Sequence, residues 1–290
     1  MLARSALPQR LAGPALVLGA ASSVQIGAAV ATRLFGRIGP VSAVWLRLGF
    51  GAVMLIAVAR ARRGRRAARF DPRTVVLFGL VVAGMNTCFY QAIDRLPLGV
   101  AVTIEFLGPL GVAAAASRRR LDLLWVGLAA CGVAALGSPT AHIDAIGAVF
   151  ALAAGAGWAA FIVVGRRIST GGSLLDGLSI GVVIAAIVLT PFGIGFRHGP
   201  LLDARTLLLG VAVAALSSAL PWVLELGALR HVSLTAYGVL VSLEPAIAAV
   251  VGAIGLSQRL GAAEIAATAA VVVASAGASL QAPVPEAPTS

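Results

Sequence analysis

The sequence predicts an all-α membrane protein with ten transmembrane helices arranged as two inverted five-helix repeats. Three observations support this fold class. The chain of 290 residues is 59% hydrophobic and 11% charged, with a mean hydropathy of +0.99, whereas soluble domains carry about 25% charged residues. Ten apolar stretches approach the roughly 20 residues that cross a bilayer. A shift of 136 residues aligns the second half with the first.

The ten candidate spans follow one another through mostly short connections. The first span comes after Arg4 and Arg10 and imitates a signal peptide. Nine further spans follow it, so we interpret it as an uncleaved helix. The spans cover residues 12–32, 41–59, 74–92, 97–116, 121–137, 145–164, 177–194, 206–229, 234–256 and 262–281.

The distribution of arginine predicts the orientation. With the N-terminus inside, 15 arginines fall in cytoplasmic segments, 6 fall on the opposite side, and Arg47 lies inside a span. Because basic residues concentrate in cytoplasmic loops, both termini are predicted to be cytoplasmic. We expect a first repeat over residues 1–140, a second over 141–282 and a disordered tail over 283–290.

The repeat places the two halves in a specific register. The shift of 136 aligns Pro245 with Pro109, and each half then has five spans. An odd number of spans inverts the second half relative to the first. Glu244 falls opposite Gly108 rather than opposite Glu105, so the two carboxylates need not share one role.

Two glutamates at membrane depth are the first candidates for function. Glu105 and Glu244 lie in corresponding spans, each close to a proline. A carboxylate in hydrocarbon is costly and usually marks an ion or substrate path. Interrupted helices in repeated halves indicate the binding site of a transporter. Both residues are therefore candidates for substrate binding and for proton coupling, with a bond to proline-freed backbone as the alternative for Glu244.

Arg47 is the candidate for an ion pair inside the bundle. It lies roughly 9 Å, and Glu105 roughly 12 Å, below the outer end of its helix. A lone guanidinium at that depth needs an anion or water, so we expect a pair between Arg47 and Glu105. The alternative is that Arg47 extends to the outer surface. Glu225 lies close to the inner boundary, where a structural role is favoured.

Polar uncharged side chains complete the predicted substrate site. The amides of Gln25 and Asn86 suit a carboxylate or a hydroxyl. Tyr90 and Trp222 can form an apolar wall or hold an ammonium group by cation–π contact. Each of these residues has an equally good alternative role in joining helices.

Several function classes lack support in the sequence. Zinc-protease, phosphate-loop and Ser–His signatures are absent, and the three histidines show no metal-ligand spacing. The arginines lie in short loops rather than in a nucleic-acid-binding patch. We therefore expect no enzyme activity, no metal, no cofactor and no nucleic-acid partner, and the expected partners are a small molecule, protons and the lipid bilayer.

The chain resembles a family of transporters. It is similar to the EamA domains of the drug/metabolite transporter superfamily, and within it to the threonine/homoserine exporter group of bacterial inner membranes. The resemblance implies efflux of small amino acids coupled to proton entry, through a cavity lined by helices one, three, four, six, eight and nine. It rests on residues 23–28, 84–86, 97–109, 117–119, 155–158, 218–221 and 242–246.

Other functions remain open at this point. The same fold can export another metabolite or a drug. A membrane enzyme could use Glu225 and Glu244 as paired carboxylates on a lipid-like substrate. A passive channel would show flux that neither saturates nor responds to a proton gradient.

Overall fold

A computed structural model describes residues 6–62, 70–116, 120–136, 143–171, 174–228 and 231–281 of the chain. These residues form helices, and no strand occurs among them. The predicted tail over 283–290 and eight of the 15 arginines assigned to the cytoplasmic side lie outside the described residues. The helices are α1 Ala6–Ile38, α2 Pro40–Arg62, α3 Pro72–Ile93, α4 Leu98–Glu105, α5 Leu107–Ala116, α6 Arg120–Ala135, α7 Ala145–Gly171, α8 Leu174–Gly195, α9 Ala204–Ala214, α10 Leu220–Ala228, α11 Leu234–Val241, α12 Glu244–Leu256 and α13 Ala262–Gln281, with a π-helical segment Ala215–Ala219 between α9 and α10.

Nine helical stretches in the described ranges are long and apolar enough to cross a membrane. Three of these stretches are composite: α4 with α5, α9 with α10, and α11 with α12. The predicted fifth span corresponds to α6, whose apolar part, Leu123–Ala135, is shorter. All 16 residues of α6 would extend roughly 24 Å, less than the hydrocarbon thickness of about 30 Å. The count of ten spans therefore stays a prediction.

Two of the spans are interrupted where the prolines predicted an opening. Pro109 and Pro245 have no N–H, so the carbonyls of Glu105 and Val241, four residues earlier, lose their helical donors. The chain turns at Phe106 between α4 and α5, and at residues 242–243 between α11 and α12. A shift of 136 residues superposes the two interruptions on each other.

A third irregularity interrupts the span formed by α9 and α10. The N–H of Leu220 bonds to the carbonyl of Ala215, five residues back, which widens the helix into a π turn. Pro221 cannot supply an N–H to the carbonyls of Leu216 or Ser217. The Ser23 hydroxyl of α1 donates to the Leu216 carbonyl at 2.7 Å, so the neighbouring helix satisfies one of these acceptors.

Small residues allow the central helices to approach closely. A Cβ atom added at Gly108 would overlap the carbonyl oxygen of Gly155 in α7, and one added at Gly155 would lie 2.7 Å from the carbonyl oxygen of Glu105. Gly155 thus lets the backbone of α7 contact the interruption between α4 and α5, as small residues do between membrane helices.

The bundle is packed differently at its two ends. All eight residues of α4 are buried, and α4 packs against α12. The N–H of Leu98 donates to Oε1 of Gln258 at 2.9 Å, and Gly99 contacts Ala249. We call this the closed end. At the opposite end, within the described residues, α5 and α11 are not packed against each other, and most of their side chains are partly accessible.

Candidate functional site

The Arg47 guanidinium forms the centre of a polar cluster between α2, α3 and the π segment. Nη1 donates to Oδ1 of Asn86 at 2.7 Å, and Nη2 donates to the carbonyl of Ser217 at 3.1 Å. The guanidinium carbon lies 5.6 Å from the centre of the Tyr90 ring. Asn86 is oriented by its own Nδ2, which donates to the carbonyl of Val82 at 2.8 Å. The cluster therefore holds one cation in a defined orientation inside the bundle.

The direct partners of Arg47 differ from the predicted pair. Glu105 is close enough to Arg47 for a charge–charge interaction. Across the described chain, however, no ion pair of 4.0 Å or shorter joins the two residues. Pro221 explains the difference in part, because it leaves the Ser217 carbonyl free to accept from Arg47. The guanidinium is thus not neutralised by a protein carboxylate in contact with it.

Glu105 and Glu244 lie near each other although they belong to different halves. Glu105 is the last residue of α4 and is 8% exposed. Glu244 is the first residue of α12 and is half-buried. The two carboxylates interact through their charges, so the two helix interruptions bring them to one region.

Glu225 belongs to the same region. Its carboxylate interacts with the Tyr237 hydroxyl and with the charge of Glu244. Distance along α10 had favoured a structural role near the inner boundary, but it did not show which side of the helix Glu225 occupies. The charged groups of this region are Arg47, Glu105, Glu244 and Glu225, and Glu105 with Arg47, Glu105 with Glu244, and Glu244 with Glu225 are close enough for charge–charge interactions.

The remaining predicted residues are distributed over α1, α3 and α10. Gln25 in α1 is 2% exposed, and its Oε1 has no hydrogen-bond partner. Tyr90 is 1% exposed and packs against Phe35 at a centroid distance of 5.5 Å. Trp222 is half-buried in α10, three residues before Glu225. Gln25 and Tyr90 are thus interior side chains, and Trp222 packs against the buried core.

Sequence reasoning missed two groups. The Ser217 carbonyl is a backbone acceptor, and its only sequence signal is Pro221 four residues later. Gln258 lies in the connection after α12 and accepts from the first turn of α4, where no periodicity could reveal it. In the part of the chain that the structure describes, no group of three or more His, Cys, Asp or Glu residues could hold a metal ion.

Comparisons with known proteins give a consistent result. The sequence profile of the EamA-like transporter family matches residues 145–280. The threonine/homoserine exporter RhtA of Salmonella typhimurium is 41% identical over 268 residues, which cover 91% of this chain and 90% of the relative. RhtA of Escherichia coli strain K12 is 39% identical over the same shares. A crystal structure covering 94% of this chain and 99% of its own has a TM-score of 0.64 at 19% identity, which supports the fold alone.

Proposed function

The chain belongs to the EamA-like transporter family, and from that premise we propose that it exports small amino acids, such as threonine and homoserine, in exchange for protons. It is a transporter of this family and not an enzyme. The observation that carries the proposal is the series of charged groups in the bundle interior, where Glu105, Glu244 and Glu225 interact beside a buried arginine cluster. Charged groups at this depth are retained where ions or cargo reach them.

We propose ten spans in two inverted repeats, 1–140 and 141–282. The matching positions of the two helix interruptions support this arrangement. The helix packing supports it as well. The proposed two-fold axis exchanges α1 with α7, α2 with α8, and α3 with the span formed by α9 and α10. The packed pair α3 and α7 then corresponds to α1 with α9 and α10, and the packed pair α3 and α8 corresponds to α2 with α9. The pairs α2 with α8 and α6 with α13 map onto themselves.

The proposed location is the bacterial inner membrane, with both termini in the cytoplasm. The excess of arginine in the loops assigned to the inside supports this orientation. Under it, the closed end, where α4 meets α12, faces outward. The end where α5 and α11 lie apart then faces the cytoplasm, from which an exporter loads its cargo.

The proposed coupling is a competition at one carboxylate, Glu105 or Glu244. An ionised carboxylate can hold the ammonium group of an amino acid, and a protonated one cannot. Release of cargo outside would be followed by proton binding, and release of that proton inside would restore the site. One proton entering down about 100 mV supplies roughly 2.3 kcal/mol, which sustains an outward gradient of roughly 50-fold for a neutral zwitterion.

Efflux of labelled threonine from proteoliposomes tests this proposal. An acidic step on the outside should accelerate efflux by the native protein, and Glu105→Gln or Glu244→Gln should remove that acceleration. Glu264→Gln, at the start of α13, is the matched control and should respond as the native protein does. Retained acceleration in both site variants would make the proton assignment wrong. Flux of a drug panel without any amino-acid flux would instead favour the alternative cargo class.

A further inference from the structure

The Arg47 guanidinium has hydrogen-bonding capacity that the protein does not use. Arginine carries five N–H donors in a planar fork, and Arg47 gives one to Asn86 and one to the Ser217 carbonyl. Its Nε is buried and has no partner. The side chain is nevertheless half-buried as a whole, so part of it remains accessible. A buried charged donor without an acceptor is costly, which indicates that a partner is absent from the cluster.

A second donor beside Arg47 also lacks a partner. The Tyr90 hydroxyl is buried and close enough to the guanidinium for its oxygen to interact with it, while its O–H has no acceptor among the described residues. Tyr90 and Arg47 therefore present unpaired donors in one place. The group that would satisfy both is an acceptor with several lone pairs and a negative charge, which describes a carboxylate.

The protein does not provide that carboxylate itself. Glu105 interacts with Arg47 only at a distance, because no ion pair of 4.0 Å or shorter joins them in the described residues. Glu244 and Glu225 lie further along the series. Arg47 therefore has a carboxylate in its neighbourhood but, among the described residues, none in contact with it.

We propose that Arg47, assisted by Tyr90, binds the carboxylate of the cargo, while Glu105 faces its ammonium group. This inference rests on the proposed export of amino acids and names the recognised class: zwitterionic α-amino acids with a free carboxylate. Asn86 and the Ser217 carbonyl act as positioning groups that hold the guanidinium in place. The site therefore disfavours amines and amides of the same shape, since an amine offers no acceptor in place of the carboxylate and an amide offers only one uncharged oxygen.

Competition against labelled threonine tests the proposal first on the native protein. Unlabelled threonine should compete at least about 10-fold better than threonine amide or 1-amino-2-propanol, which is threonine without its carboxylate. Equal competition by the three compounds would overturn the inference without any variant. A native protein that moves no amino acid at all would instead overturn the proposed function, and the inference with it.

Variants then assign the discrimination to one residue. Arg47→Gln should raise the KM for threonine about 10- to 100-fold while changing that for 1-amino-2-propanol little, so that the preference disappears. Arg47→Lys keeps the charge but loses the planar fork, and it should retain part of the preference. Arg37→Gln, which removes an arginine paired with Asp203 at the end of α1, is the control. A native preference in Arg47→Lys and Arg47→Gln alike would show that Arg47 is only structural.

Discussion

The two interrupted helices share one backbone plan but differ in their surroundings. Each turns at the position that a shift of 136 residues superposes, Phe106 in one and Ser242 in the other. The helix before the first turn, α4, is entirely buried, whereas α11 before the second turn is mostly half-buried. The two prolines therefore produce similar breaks in the two helices, whereas the packing around each break depends on the neighbouring helices.

The difference extends to the two ends of the bundle. Under the proposed pseudo-symmetry, the packed pair α4 and α12 corresponds to α11 and α5, which are apart in the described residues. If the two repeats packed identically, both ends of the bundle would be closed or both would be open. The structure thus packs α4 against α12 at one end, with Gly99 against Ala249 and Gln258 at the start of α4, and this asymmetry fits one state of a proposed alternating-access cycle.

The largest effect should come from a side chain that fills the close contact between Gly108 and Gly155 at the first interruption. Gly108→Leu places a side chain where the Gly155 carbonyl lies, and it should destabilise the protein by at least about 3 kcal/mol, the upper range for overpacking. Size-exclusion chromatography of a fluorescent fusion after heating would measure the loss. Gly111→Leu, in the same helix with open space around its Cβ position, should leave the melting temperature nearly unchanged. Equal melting of the two variants would contradict the close packing.

A smaller effect is expected where Gln258 seals the closed end. Gln258→Leu removes the acceptor of the Leu98 N–H, a loss of about 1 kcal/mol, and should open this end about 5-fold more often. The readout is labelling of a cysteine placed at Ala101, which is fully buried in α4, after replacement of Cys88 and Cys131. Gln258→Glu keeps an acceptor oxygen and should label at the native rate. Faster labelling in Gln258→Glu as well would show that the hydrogen bond does not seal this end.

The smallest effect should occur at the rim, away from both interruptions. Asp203 caps α9, and the backbone N–H of Thr206 together with Arg37 holds the pKa of Asp203 below its usual range. Because the pKa of Asp203 is lower in the folded than in the unfolded protein, its ionised form stabilises the fold when the pH is above the unfolded-state pKa. This contribution is lost as the pH falls through the folded-state pKa. Asp203→Asn should therefore lower the melting temperature slightly at pH 7, and the difference should shrink as the pH falls below the ordinary aspartate pKa of about 3.9 and through the lower folded-state pKa. A difference that persists in acid would assign the effect to shape rather than charge.

Much of the fold could be predicted from local signals. Apolar length located the helices, and Pro109 and Pro245 located the interruptions because a missing N–H acts within one turn. The partner of Arg47 could not be found in this way. Depth along separate helices placed Arg47 and Glu105 at similar levels, but it gave no information about which faces meet. Glu225 shows the same limit, since its position along α10 gave no information about its interactions with the Tyr237 hydroxyl and the charge of Glu244.

The π segment before Pro221 has a consequence for every residue that follows it in that span. One additional residue in a turn rotates the rest of a helix by about 100° around its axis. Trp222 and Glu225 therefore owe their inward direction to a single inserted position between α9 and α10. Straightening this turn into regular α-helix at the same chain length would rotate the aromatic ring and the carboxylate by that angle, whereas deleting one residue would close the bulge and keep both side chains in phase.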